Sequence, residues 1–216
     1  MNKAFPELSQ ALSALLDRMD GSVKRGGYDG PPITMYLAGG MAVNFYCGTR
    51  YTEDVDAFYT RRVNVGPCEV SYRHRDGKPS FLYLDNNYNP AFGLLHEHHA
   101  RDAVEWQGIG NERRNIHLFV LSPVDLAVTK ISRFSPQDRE DIFALAGAGL
   151  FSADQLRNRA AEALVDFVGD RAPVLTSIDL ICGQISAEKP LNHGREFDIP
   201  VDPPGKRDGK EHDLEI

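Results

Sequence analysis

Apolar side chains near the start of the chain fall at Ala11, Leu12, Leu15, Leu16 and Met19. Spacing of i, i+1, i+4, i+5 and i+8 draws one stripe along a helix, so an amphipathic first helix is predicted. Residues 20–32, broken by glycine and proline, read as a loop. Residues 33–38 (ITMYLA) are short, apolar and partly β-branched, the pattern of a buried strand. Gly39-Gly40 interrupts that run, and residues 41–46 read as a short helix closed by Gly48. Residues 54–60 (DVDAFYT) alternate and predict the next strand, with further β structure over 63–70 and 79–84 and a turn over 85–90. Residues 102–106 and 115–121 complete the expected strands.

From Pro123 the pattern turns helical. Ser122-Pro123 and Ser135-Pro136 each place a capping hydroxyl before a proline at the first helical position. The helix begun at Ser135-Pro136 is expected to run through Leu145 and to stop at Gly147 and Gly149. Ser152 predicts a cap for a helix over 153–168, and 174–185 reads as one more. Three segments follow: a mixed core over 1–122, a helical lobe over 123–188, and a tail over 189–216 whose proline, glycine and charge predict disorder. The fold class expected is α+β (α/β), a mixed sheet flanked by helices with a C-terminal helical lobe.

Composition narrows the functional classes. With 42% hydrophobic residues in 216, the chain has material for a core without staples. Cys47, Cys68 and Cys182 are odd in number and form no C-x-x-C pair, which argues against a disulfide framework or zinc ribbon. The first residues lack a signal peptide's unbroken apolar stretch, and no run reaches membrane-spanning length, so a cytoplasmic location and no membrane partner are expected. A net charge of −7 argues against nonspecific coating of nucleic acid. Basic pairs at Arg61-Arg62, Arg73/Arg75 and Arg113-Arg114 read as solvated strand ends or partners of nearby carboxylates rather than as one patch. His96-Glu97-His98-His99 lacks the i, i+4 histidine spacing of a zincin, because position 100 is alanine, and reads as a solvated loop. Residues 108–113 (GIGNER) lack the last glycine of a dinucleotide fingerprint, and no G-x-S-x-G elbow is present.

Three features lie close together between Leu37 and Phe58. Gly39 and Gly40 sit at a strand-to-helix turn, where backbone can approach a ligand and helix amides face an anion. Asp54 and Asp56, at i and i+2 on one strand, project from one face and repel each other unless a divalent cation lies between them. Arg50 and Thr52 lead into that strand and are placed to contact phosphate or orient a carboxylate, although an arginine there also suits a plain surface.

The stretch LAGGMAVNFYCGTRYTEDVDAF resembles the nucleotidyltransferase superfamily: a glycine pair after a strand, then Asp-hydrophobic-Asp. Its R-x-T-x-D-x-D ending is similar to bacterial nucleotidyltransferase-like proteins of the abortive-infection toxin–antitoxin type. A second stretch, LSPVDLAVTKISRFSPQDREDIFAL, resembles their later motif through Lys130, Asp138 and Asp141. The likeness implies transfer of a nucleotidyl group from a nucleoside triphosphate to an RNA (tRNA in related toxins) or a protein acceptor, with Mg²⁺ or Mn²⁺ as cofactor. It further implies Asp54 and Asp56 as metal ligands and catalytic residues with Lys130. Gly39, Gly40, Arg50, Thr52, Asp138 and Asp141 would then bind nucleotide, the last two by orienting Lys130 or the base. Asp138 and Asp141 equally suit a helix N-terminus, where the macrodipole favours acids. A third carboxylate is expected from a later strand, with Asp102 and Glu105 the candidates. Met41, after the second glycine, brings no hydroxyl. A cognate toxin or antitoxin is an expected partner. The competing expectation is a catalytically inactive interaction protein on the same fold, antitoxin-like or regulatory.

Overall fold

The computed structural model describes residues 2–61, 65–85 and 93–187. Arg62 of the first basic pair, the turn expected past Asp85 and the tail over 189–216 lie outside them. Helix α1 (Pro6–Arg25) starts at a proline and runs past the predicted loop boundary, through Gly21. The extra turns hold because Asp20 and Val23 are buried: Asp20 pairs with Lys24 at 2.7 Å and accepts the Asn115 amide at 2.6 Å. Tertiary partners thus override a glycine's weak helix propensity.

Strand β1 (Ile33–Leu37) leads into α2 (Gly39–Cys47), so the two glycines form the first turn of the helix rather than preceding it. Gly48 ends α2 in the left-handed region, φ +63°, where a Cβ would stand 2.5 Å from the Lys3 carbonyl oxygen. Then come β2 (Asp54–Tyr59), β3 (Glu69–Arg73) and β4 (Pro79–Asp85), followed by a short helix α3 (His99–Asp102) and the two-residue strand β5 (Val104–Glu105). A strand was expected over 102–106, but Asp102 closes α3 instead. Strand β6 (Ile116–Val120) precedes helices α4 (Pro123–Ile131), α5 (Pro136–Gly147), α6 (Ala153–Ala163) and α7 (Arg171–Ala187). Ser122, Ser135 and Ser152 cap α4, α5 and α6, the last two through reciprocal capping boxes with Asp138 and Gln155. Helix α6 stops five residues short of the expected end at 168, and α7 extends beyond 174–185 at each end.

Among the described residues, six strands form one mixed sheet in the order β3-β4-β2-β1-β6-β5. β1 runs parallel to β6 and β2 parallel to β4, while the other pairs are antiparallel. The architecture is therefore the mixed α+β (α/β) arrangement expected. Register fixes which side chains share a face. Val55, Ala57, Val70, Leu82, Leu84, Met35, Leu37, Leu118 and Val120 point to one side and are buried in the core that includes α1. The opposite side carries Asp54, Asp56 and Phe58 beside Tyr36 and Phe119. No helix among the described residues is long and apolar enough to cross a membrane.

Candidate active site

Gly39 decides the geometry at the top of β2. Its φ is +57°, and a Cβ built there would lie 2.6 Å from Asp56 Cγ, inside the carboxylate's space. Only glycine lets the turn close this tightly against an acid. Ala38 N–H donates to the Asp56 carbonyl at 2.9 Å, locking β1 to β2 at that point. The first-turn amides of α2 have no acceptors within the helix and carry the positive end of its dipole, so an anion bound here lies beside the acidic pair.

Asp54 and Asp56 are half-buried on one face, as their i, i+2 spacing requires, while Val55 and Ala57 are buried on the other. Asp56 is pushed up to about 6, first by burial, then by Asp54 and Asp85, against the opposing charges of Lys130 and Arg133. Thr52, buried, donates its hydroxyl to Asp54 Oδ1. A Cβ on Gly40 would stand 3.1 Å from Arg50 Cζ and from Thr52 Cβ, so both side chains lie against the start of α2. Asn44, fully buried on α2, holds that loop: its Nδ2 donates to the Arg50 carbonyl at 2.6 Å while its Oδ1 accepts the Phe5 amide at 3.1 Å.

The helical lobe supplies cations. Lys130 on α4 is buried and donates from Nζ to Asp141 Oδ2 at 2.6 Å, and it lies 3.6 Å from Asp138. Arg50 reaches the same Asp141 oxygen. Asp138 takes Arg133 through two nitrogens, at 2.8 and 2.7 Å, and serves the Ser135 capping box. Burial raises its carboxyl, but the Arg133 and Ser135 hydrogen bonds outweigh burial and hold it down at about 2. Asp138 and Asp141 thus position Lys130, Arg50 and Arg133, and Asp138 also serves as helix N-terminal charge. Residues 39–40, 50–56 and 130–141 converge, although 63 residues lie between the end of β2 at Tyr59 and the start of α4 at Pro123.

Asp102 and Glu105 do not converge with them. Asp102 receives Arg159 of α6 at 2.7 Å and Arg101 at 3.0 Å, which hold it below the usual carboxylate range, with Arg101 the stronger influence. Arg159 also grips the fully buried Asp125, at 2.7 Å, so Asp102 belongs to a clamp between α3, α4 and α6. Glu105 faces the same side of the sheet as Asp56, but three strand spacings away, about 14 Å. It accepts Asn111 and Gln107 instead, each at 3.1 Å.

The carboxylate that does join the pair is Asp85. Parallel pairing of β2 with β4 sets Asp56 opposite Asp85 and Asp54 opposite Tyr83. Its only sequence signal is the alternation of PSFLYLD, which puts Asp85 at the end of a strand rather than in a turn. His96 also departs from expectation: it is buried, bonded through Nε2 to Glu162 at 3.0 Å, and not a solvated loop residue. Met41 is fully buried and packs in the hydrophobic core. Of the basic pairs, Arg114 is buried on Asp17 and Arg75 lies near Glu7, as partners of carboxylates.

Among the described residues, no group of three or more His, Cys, Asp or Glu side chains is placed to hold a metal ion, so the pair Asp54 and Asp56 is what the site offers one. The donors nevertheless suit Mg²⁺ or Mn²⁺ in kind. They are hard oxygens, burial and after it their mutual repulsion raise the Asp56 carboxyl, and a magnesium ion held by one or two carboxylates completes its shell with substrate phosphate and water.

A family model described as nucleotidyltransferase of unknown function (DUF6036) matches residues 28–171, from before β1 to the start of α7. The chain belongs to this family. The match takes in the glycine turn, the acidic strand and the Lys130–Asp141 segment of this DUF6036 nucleotidyltransferase. No curated protein and no solved structure matches it.

Proposed function

We propose that this DUF6036 member is a metal-dependent nucleotidyltransferase that moves a nucleotidyl group from a nucleoside triphosphate to a hydroxyl of an RNA or protein acceptor. The observation that carries the reading is the seating of the Gly39 turn against Asp56, with Asp54 and Asp85 beside it on adjoining strands. In the reaction the acceptor oxygen bonds to the α-phosphorus, the bond to the β-phosphate bridge breaks, pyrophosphate departs, and the hydroxyl proton is released. Asp54 and Asp56, with Asp85 alongside, are the residues to hold Mg²⁺. When bound, the ion polarises the α-phosphate and lowers the pKa of the acceptor hydroxyl. The first amides of α2 at Gly39 and Gly40 hold phosphate oxygens, and Arg50 and Lys130 supply positive charge to the leaving pyrophosphate. Thr52 orients Asp54, and Asp138 and Asp141 set the positions of the cations.

The likeness to abortive-infection proteins makes a toxin–antitoxin pair the biological setting we propose, with growth arrest on expression as its sign. The alternative reading is a catalytically inactive interaction protein on the same fold, antitoxin-like or regulatory, which would incorporate no label.

The test is Mg²⁺-dependent incorporation of label from α-labelled nucleotide into RNA or protein, together with calorimetric titration of each triphosphate with and without the metal. Labelling should vanish in Asp54→Asn and Asp56→Asn. Wild-type protein that neither binds nucleotide nor labels an acceptor overturns the proposal.

A further inference from the structure

Half of the site-bearing face of the sheet carries an unusual set of side chains. On β3 and β4, helix α1 covers the face of Val70, Leu82 and Leu84. The opposite face leaves Phe81 52% exposed and Tyr83 43% exposed. Single exposed apolar residues need no explanation. Here two aromatic rings alternate with core residues on one strand, on the same side as Asp85, and Tyr83 is the register partner of Asp54. The Tyr83 phenol feels Asp54 most strongly, then burial, Asp85, Glu53 and Asp56, all of which raise it, so its ring borders the acidic cluster.

The antiparallel β3 completes the strip. Its register sets Glu69 opposite Tyr83, Ser71 opposite Phe81 and Arg73 opposite Pro79, all exposed on this face. The sequence along the strip is acid cluster, Tyr83, Phe81, then Arg73 near the hairpin tip, where Lys78 also lies. From Tyr83 to Pro79 is about 13 Å at the rise of a strand, room for about two to four nucleotides at roughly 3.4 Å each. Aromatic side chains on an open sheet are a recurring platform for unpaired bases, which any π-face accepts. The Ser71 hydroxyl and Glu69 carboxylate, beside the rings on β3, are acceptors for a ribose 2′-hydroxyl, a donor that deoxyribose lacks.

We infer that the β3–β4 face is the acceptor subsite, binding the unpaired end of a single-stranded RNA. Its bases stack on Tyr83 and Phe81, its backbone phosphate meets Arg73, and its terminal hydroxyl is directed at Asp54 and Asp56. This assignment rests on the nucleotidyl-transfer reading for the hydroxyl's fate, but RNA binding itself is measurable without nucleotide.

The experiment is fluorescence anisotropy of a labelled single-stranded RNA of about twelve nucleotides, within the footprint range of such platforms. It uses the full chain in metal-free buffer, with DNA of the same sequence, duplex RNA and an unstructured peptide as competitors. Phe81→Ala and Tyr83→Ala should each weaken RNA binding about tenfold, Tyr83→Phe should leave it unchanged, and Arg73→Ala should weaken it with a shallower salt dependence. All of these positions are exposed, so circular dichroism should report native folds. No binding of single-stranded RNA, binding indifferent to the two aromatic-to-alanine variants, equal affinity for DNA, or displacement by the peptide overturns the inference. Titration of nucleotide into wild type is read separately. A chain that binds triphosphate but not RNA removes this subsite alone, and one that binds RNA through the rings but no triphosphate removes the nucleotide pocket alone.

Discussion

Replacing Asp56 with asparagine should make the protein more stable while destroying its activity. The carboxyl ionises at about 6 instead of 3.8, chiefly because burial and then Asp54 oppose its charge. At about 1.36 kcal/mol per pH unit, that difference amounts to about 3 kcal/mol of folding free energy lost in the metal-free protein at neutral pH. The sign follows from proton counting. Below about pH 4 the folded and unfolded chains both carry the proton, so Asp56 costs nothing. Between about pH 4 and about pH 6 the unfolded chain releases its proton first, so stability falls, and above about pH 6 the full penalty stands. An asparagine at this position keeps the shape without the charge and escapes the penalty. Urea unfolding in metal-free buffer should therefore show the variant ahead by up to about 3 kcal/mol at pH 8, with the gap closing toward pH 4. Adding Mg²⁺ with nucleotide should stabilise wild type and leave Asp56→Asn unmoved. A variant no more stable than wild type at pH 8, or ahead by the same margin at every pH, refutes the claim that this acid is held against its own electrostatics for the sake of binding.

The remaining predictions concern the same neighbourhood. Gly39→Ala should lose about 1–3 kcal/mol to left-handed backbone strain and fail to bind triphosphate, as read by thermal unfolding and calorimetry, because its methyl displaces the Asp56 carboxylate. Asp85→Asn should abolish incorporation of label, whereas Asp102→Asn should leave it near wild type and lower the unfolding midpoint, since Asp102 serves the Arg159 clamp. Asp141→Asn should cost about 3 kcal/mol in urea unfolding by leaving buried Lys130 short of its nearest partner, and combining it with Lys130→Met should recover much of that loss.

The parts of the site that were legible in the sequence are those written locally. Two acids at i and i+2 share a face on any strand, and a glycine pair between apolar strand and apolar helix marks a tight turn; neither inference needs the rest of the molecule. The serine caps of α4, α5 and α6 were likewise readable because a cap is a matter of three or four neighbouring residues. Asp85 was not, since its place beside Asp56 comes from β4 pairing in parallel with β2 after a detour through β3, a choice made by the sheet as a whole. The same reason hides the aromatic strip, whose members come from two strands. Glu105 failed as a candidate although it faces the correct side, because sequence shows facing but not strand order. The continuation of α1 past Gly21 depends on Asp20 reaching Asn115, a partner ninety-five positions away.

Asn44 has a practical corollary. One carboxamide grips the backbone on each side of it, Phe5 ahead of α1 and Arg50 ahead of β2, and the neighbouring Lys3 amide is fastened to Phe45 at 2.7 Å. Residues 3–5 are consequently a guy-rope for the loop that carries Arg50. Disturbing them would slacken Arg50 from a distance and mimic a lesion of the candidate site in a protein whose acids were all intact.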